Sequence, residues 1–289
     1  MLTVIPGGLN KVRNFMDYEK IKAHWRDWAI AHGKDLRATT KTSTVKDVEV
    51  DALCRAFRRV RDDINQELTV LEVGSGNGQN CLRLAHEFPH FQFTGFDYVE
   101  EMVAAANSLK LEQGLSDSRI RFYQDDIVNP VSLNASYDII FTDRCLINLN
   151  TTKHQLDAIS LLFGHLNPYG HLVMIENSQQ TYANQNRARE LLGLPPRTPA
   201  EFNLFFDDEV ILKHLSDLGF NILDIDDFVS LHDFFLYVLV PLLNDNQILY
   251  DDPLVDVAAS VSIAISSEMP GAFGQFGQNR LYHCHKRKA

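Results

Sequence analysis

The run Leu68–Gly78 (Leu-Thr-Val-Leu-Glu-Val-Gly-Ser-Gly-Asn-Gly) constrains this chain more than any other stretch. Its apolar, β-favouring first half predicts a fully buried parallel strand. Gly74, Gly76 and Gly78 then stand at every second position, which predicts a tight turn whose backbone comes close to something a Cβ would block. Asn80–Phe88 follows with Leu82, Leu84, Ala85 and Phe88, a pattern that suits a short helix packed back on a sheet. Strand, glycine turn and helix together are how an open α/β sheet builds a site for a nucleotide-like ligand, at the carboxyl ends of its strands. A second short strand, Gln92–Asp97, ends on an acid about 20 residues past the glycines, where such folds accept a ribose hydroxyl pair.

The spacing narrows the ligand. A dinucleotide site wants Gly-x-Gly-x-x-Gly, and here the last of those positions is Gln79. No Lys-Ser or Lys-Thr follows the glycines, so a phosphate-cradling loop is disfavoured as well. The pattern Glu72-x-Gly74-x-Gly76-x-Gly78 resembles the first motif of class I S-adenosylmethionine-dependent methyltransferases. Three later segments resemble the same family. These are Arg119–Tyr123 running into Asp126 and Ile127, Tyr137–Thr142 running into Asp143 and Arg144, and the Asn167-Pro168-Tyr169-Gly170 turn before the strand His171–Glu176.

The resemblance covers about residues 45–230. It implies an α/β, Rossmann-like, mainly parallel seven-stranded sheet with helices on both faces. It also implies S-adenosyl-L-methionine as cofactor, with Glu72, the turn Gly74–Gly78 (including Ser75) and Asn80 at the methionine end. Asp97 and Tyr98 would lie at the ribose, Asp126 and Ile127 at the adenine, and Thr142 in the cleft that cofactor and substrate share. One departure from the family stands out: its last two strands usually form a hairpin, and here about 50 residues separate Phe220–Val229 from Arg280–His285.

Outside that frame, Tyr18, Ile21, Trp25, Trp28 and Ala29 fall at helical spacing in Phe15–His32, an amphipathic helix. Residues 1–14 read as a flexible lead-in, and residues 1–44 together as an extension, either packed on the main domain or forming a lid over a pocket. The domain proper is expected over 45–289, beginning with a helix over Val45–Ile64, with additions at 180–206 and 230–278. The polar, proline-bearing stretch Gln180–Phe206 predicts an insertion rather than sheet. Leu231–Leu243 is apolar and aromatic enough to require burial, over the cleft or in a homodimer surface.

Composition excludes some functions. The chain has 289 residues, 45% of them hydrophobic, and 38 acidic against 27 basic side chains give a formal net charge of -11. That balance argues against nucleic-acid or acidic-membrane binding, which need basic footprints. Four cysteines without paired spacing suit a reducing compartment, and no stretch approaches a membrane span, so a cytoplasmic protein is expected. His283-Cys284-His285 places its histidines on one face of a strand and the cysteine on the other, which disfavours a metal site. No Gly-x-Ser-x-Gly elbow marks a hydrolase.

The expected reaction is methyl transfer to a small-molecule acceptor, on oxygen or nitrogen, with a sugar or another biosynthetic intermediate as one guess. Asp143, Glu176 and His232 are the candidates for a general base, which a hydroxyl acceptor needs and a neutral amine does not. Trp25, Arg37, Arg144 and Asn148 are placed on the substrate side. Arg37, Thr39 and Lys41 are the groups that could reach the cofactor carboxylate or the substrate from the loop Gly33–Thr44. The alternatives are a nicotinamide-dependent oxidoreductase on a similar sheet, and a non-catalytic protein that keeps the fold and works through its helical additions.

Overall fold

The computed structural model describes residues 16–60 and 67–287. The lead-in expected over 1–14 and the end of the helix expected over Val45–Ile64 lie outside the described residues. Helix α1 (Tyr18–His32) starts on Asp17, whose side chain accepts the Glu19 N–H, and stops at Gly33. Helix α2 (Ser43–Arg58) is capped by Thr42. The expected strand and glycine-turn helix then appear as β1 (Thr69–Val73) and α3 (Gln79–Glu87). They are followed by β2 (Gln92–Asp97), α4 (Glu100–Glu112), β3 (Ile120–Gln124), β4 (Tyr137–Asp143), α5 (Thr152–Gly164) and β5 (Leu166–Asn177).

The remaining elements build the later additions and the sheet edge. Helix α6 (Gln179–Leu191) opens the stretch expected as an insertion, and coil follows it to Phe206. Next come α7 (Asp208–Leu218) and β6 (Phe220–Asp226). Helix α8 (Ser230–Phe234) runs through one π-helical stretch, Phe235–Leu239, into α9 (Val240–Leu243), and α10 (Pro253–Ser266) leads to β7 (Asn279–Lys286).

The seven strands form one sheet in the order β3-β2-β1-β4-β5-β7-β6. All neighbouring pairs are parallel except those of β7, which runs antiparallel to both β5 and β6. The expected mainly parallel seven-stranded sheet is therefore the observed one. Residues 227–278 separate β6 from β7, so the two still pair, but through a long helical excursion instead of a tight hairpin. The Asn167–Gly170 turn sits inside β5, where the register against β4 shifts and Tyr169 takes φ 65°.

Period-two alternation divides the core between the sheet's faces. Val70, Ile139, Phe141 and Val173 face Phe57, Leu82, Leu84 and Phe88, under α2 and α3. Leu71, Ile140, Leu172 and Met174 face Ile159, Leu162, Ile211 and Leu215, under α5 and α7. Cys284 packs into this second core, while His283 hydrogen-bonds His171 on the opposite face. Among the described residues no helix is long and apolar enough to cross a membrane.

Candidate active site

Strand order reverses between β1 and β4, and a parallel sheet opens a crevice at such a switch point, beyond the carboxyl ends of its strands. A cavity of about 600 Å³ lies there. Its floor includes Gly74, Asp97, Asp143 and Asn177, at or just past the ends of β1, β2, β4 and β5.

The three glycines take φ 70°, 51° and 80°, the left-handed region that favours glycine. Each also excludes a different neighbour. A Cβ at Gly74 would meet the Cys145 sulfur at 2.4 Å, and one at Gly76 the Thr39 methyl at 2.6 Å. A Cβ at Gly78 would meet Phe122 at 2.7 Å and Ala106 at 2.9 Å, so this glycine allows helix and sheet to pack closely and does not line the cavity. The backbone at all three positions thus comes close to atoms that a Cβ would block, as the sequence predicts, and the neighbours found there are protein groups. Asn77 braces the turn from outside, donating to the carbonyls of Gly33 (3.1 Å) and Asp35 (2.9 Å).

Asp97 lines the cavity at the end of β2. Its Oδ2 accepts the Gly76 N–H at 2.9 Å and its Oδ1 the Val99 N–H at 2.9 Å. Burial pushes its carboxyl up to about 6 against those two N–H donors. Tyr98 beside it has a buried hydroxyl without a partner. Asp126 lies outside the cavity lining and is covered by α1, accepting the Tyr18 hydroxyl at 2.7 Å and pairing with Lys22 at 2.7 Å. Ile127 is buried in the second core beside Phe96.

A buried polar network underlies the turn. Lys46 is 2% exposed and binds Asp143 at 2.6 Å, Glu49 at 2.8 Å and Asn80 at 3.1 Å. Asn80 in turn donates to Glu72 at 2.8 Å. Burial pushes the Glu72 carboxyl up to about 7. Burial acts on Asp143 in the same direction, but Lys46 and Arg144 outweigh it and hold that carboxyl down to about 2. A carboxylate so stabilised in its charged form makes a poor proton acceptor at neutral pH.

Glu176 does not line the cavity. Its oxygens accept from the Thr142 hydroxyl at 2.7 Å and from the backbone N–H groups of Cys145, Leu146 and Ile147. Despite these donors, burial pushes it up to about 7. Thr142 is likewise turned to Glu176 and away from the cavity. These two residues hold the turn after β4 in shape.

Other lining residues come together from distant segments. Trp25 donates to Asn148 Oδ1 at 3.2 Å, and Asn148 donates to the Arg144 carbonyl at 2.8 Å, so α1 closes over the turn after β4. His24 stacks on Phe202 at 4.4 Å between ring centroids. Arg37 pairs with Asp35 at 2.7 Å, while Arg144 (φ 54°) reaches Glu49 at 3.0 Å and the Thr39 carbonyl at 2.9 Å. All five of these sequence-predicted or neighbouring side chains, Trp25, Asn148, His24, Arg37 and Arg144, line the cavity.

His232 also lines the cavity and is 1% exposed. Its Nδ1 is 2.9 Å from Asp233 Oδ1, and Asp233 Oδ2 accepts the Gln278 N–H at 2.6 Å. Among the described residues His232 Nε2 has no partner, and neither do the amide nitrogen and oxygen of fully buried Asn177. An Nδ1–H donated to Asp233 leaves Nε2 as the accepting nitrogen of a ring that lines the cavity.

Lys46, Asn77, Asp233 and Gln278 carried no sequence signal as site residues, because each is placed by tertiary packing and not by a motif. Asn177 was legible only as part of the loop after β5.

The sequence model of the methyltransferase domain matches residues 64–214, more than half of the chain. The chain belongs to the methyltransferase domain family. Its turn, acid-ended strands and sheet order are those of the class I S-adenosylmethionine-dependent methyltransferases. Among curated relatives, this methyltransferase is 31% identical over 162 residues to the malonyl-(acyl-carrier protein) O-methyltransferase of Bacillus anthracis, covering 55% of this chain and 56% of that one. It is 26% identical over 148 residues to the protein of the same description from Bacillus cereus, covering 50% and 52%. The methyltransferase thus spans about half the length of the curated relatives it matches.

Solved structures agree on the fold. Magnesium protoporphyrin IX methyltransferase from Synechocystis PCC 6803, with bound S-adenosylhomocysteine, superposes with a TM-score of 0.58 at 17% identity, covering 93% of this chain and all of that one. The cyclase SpnF superposes at 0.54 with 21% identity, covering 83% and 81%. At such identities the likeness concerns architecture alone, and the cyclase shows how one fold hosts different chemistry.

Proposed function

We propose that this methyltransferase moves a methyl group from S-adenosylmethionine to an oxygen of a small-molecule acceptor, with His232 receiving the proton that the acceptor loses. The observation that carries the reading is one cavity with two unlike sets of lining groups. Gly74, Ser75, Gly76 and Asp97 form one, and a buried, Asp233-held histidine whose Nε2 has no partner among the described residues belongs to the other.

The cofactor wall fits the methyl donor. Glu72 and Ser75 line the cavity, and among the described residues Ser75 Oγ is buried without a partner, which suits the ammonium and carboxylate of a methionine moiety respectively. Asp97 keeps lone pairs for ribose hydroxyls beyond its two backbone donors. Asp126 and Ile127 mark the adenine end, which Tyr18 and Lys22 of α1 cover. Bound there, the cofactor supplies an electrophilic methyl on a sulfonium, whose sulfur keeps the S–C electron pair as the bond breaks.

The chain's own part is alignment, exclusion of water and proton handling. Trp25 and Trp28 with Phe202 screen the opening, which makes residues 18–38 a lid. Asp233 fixes the His232 ring so that Nε2 accepts. Transfer to oxygen follows the naming of the curated relatives as O-methyltransferases. The base-ready His232 favours a hydroxyl acceptor, which must shed a proton, over a carboxylate such as a malonyl group, which need not.

Calorimetric titration with S-adenosylhomocysteine and with NAD tests the reading. Micromolar or tighter binding of the first and none of the second is expected. The reverse result establishes the oxidoreductase alternative, and binding of neither leaves an interaction protein.

A further inference from the structure

Five cations line the cavity of a chain whose formal net charge is -11. Three are neutralised inside the protein. Lys46 pairs with Asp143 and Glu49, Arg144 with Glu49 and Asp143, and Arg37 with Asp35. Among the described residues, no carboxylate forms an ion pair with Lys41 or Arg197.

Arg197 is held in place by neutral groups. Its Nη1 donates to Gln185 Oε1 at 2.5 Å and its Nη2 to Gln278 Oε1 at 3.1 Å. Its Cζ lies 3.4 Å from the ring centroid of Tyr237, and its backbone is clamped on both sides by the Asn186 side chain. A guanidinium has five N–H donors, of which these contacts use two. Ordering that side chain in advance removes an entropic penalty a ligand would otherwise meet.

The same residue, Gln278, ties this cation to the proposed base. Its side-chain carbonyl accepts from Arg197 while its backbone N–H donates to Asp233, which holds His232. Beside Arg197 the wall continues as a ladder of rings. Tyr237 meets Tyr250 edge-on at 6.5 Å, and Lys41 lies over Tyr250 at 4.7 Å and donates to its hydroxyl at 3.1 Å. A ligand placing a hydroxyl at His232 therefore shares the cavity with two aromatic rings and with a fork-shaped cation that no carboxylate neutralises among the described residues.

We infer that the acceptor is an anion with a flat apolar body, its carboxylate or phosphate received by Arg197 while its hydroxyl faces His232. This rests on the methyl-transfer reading and names the acceptor class for the same site. The planar fork of Arg197 matches either oxyanion in bidentate fashion, which Lys41 cannot do. In the reaction the acceptor oxygen gains the methyl carbon, the S–C bond breaks with its pair going to sulfur, and the hydroxyl proton passes to His232 Nε2. The anion by which the acceptor is recognised takes no part in bond making.

The test is calorimetric titration of protein saturated with S-adenosylhomocysteine, using 4-hydroxybenzoate, phenyl phosphate and the neutral methyl ester of 4-hydroxybenzoate. One anion, or both, is expected to bind at least about tenfold more tightly than the ester, and which one does so separates carboxylate from phosphate recognition. Arg197→Gln is expected to erase that preference, with S-adenosylhomocysteine affinity and melting temperature kept. Arg197→Lys should restore only part of it, a split that a purely structural role would not give. Should Arg197→Gln melt too low to titrate, Lys41→Gln at the exposed lip is expected to weaken the anions by a few-fold and leave the ester unchanged. Equal or undetectable binding of all three ligands overturns the inference. Failure of the wild-type protein to bind S-adenosylhomocysteine strikes the methyl-transfer reading itself.

Discussion

The two walls of the cavity are built by different rules. On the β1–β2 side the polar groups are positioned by near neighbours in sequence. Asp97 takes the backbone N–H groups of Gly76 and Val99, and Glu72 takes the side-chain amide of Asn80. On the far side His232, Asp233, Arg197, Gln278 and Asn177 come from four separate stretches of chain, and buried polar atoms of His232 and Asn177 have no partner. A site for an invariant cofactor can be written into one local motif. A site for a particular acceptor has to be assembled from additions, and its unpaired buried atoms mark where a ligand makes up what the protein leaves open.

Four substitutions test that contrast, in descending order of expected effect. His232→Ala should lower kcat by about 10²–10⁴-fold, the usual range for a general base, while S-adenosylhomocysteine affinity stays within a few-fold. Loss of cofactor binding together with activity would merge the two walls into one. Glu72→Gln addresses the cofactor side through stability. The folded-state carboxyl sits near 7, above its unfolded value of 4.5, so its contribution is fully present below about 4.5 and is lost as pH rises through about 7. The variant should therefore gain on the order of 3 kcal/mol over wild type at pH 8 and lose that advantage by pH 4.5, read by chemical denaturation at both pH values. A pH-independent difference would show that Glu72 is ionised normally.

Asp97→Ala should weaken S-adenosylhomocysteine binding by about 1–3 kcal/mol, since hydrogen bonds to a charged group are lost, with little change in acceptor KM. Unchanged cofactor affinity removes Asp97 from the cofactor wall. Trp25→Phe gives the smallest effect. It deletes the hydrogen bond to Asn148 and should cost about 0.5–1.5 kcal/mol of lid closure, seen as a modest rise in KM. An effect on the melting temperature but not on KM would make α1 a packing element and not a lid.

The cofactor wall was legible because glycine spacing and strand-ending acids are short-range signals. The run Leu68–Gly78 predicted β1, its turn and α3, and Asp97 and Asp143 were found by their places at strand ends. The glycine spacing foretold close approach at 74, 76 and 78, but not the neighbours, which are Cys145, Thr39, Phe122 and Ala106. Glu176 was a candidate base because it stands at the end of its strand, yet its bonds to the turn after β4 could not be inferred without the β4–β5 register. Lys46 and Glu49 read as ordinary positions of an amphipathic helix, and only the packing of α2 buries both beneath the cavity. His232 was marked as a base candidate, but its partner depended on β7 bringing Gln278 to Asp233 across the long excursion from β6.

The account stands most directly on a crystal structure with S-adenosylhomocysteine bound. It predicts the ribose hydroxyls on Asp97, the amino-acid end beside Glu72 and Ser75, and the thioether sulfur turned across the open space towards His232 Nε2. A nucleoside seated elsewhere in the cavity, or a sulfur facing away from His232 with α1 between them, would contradict it.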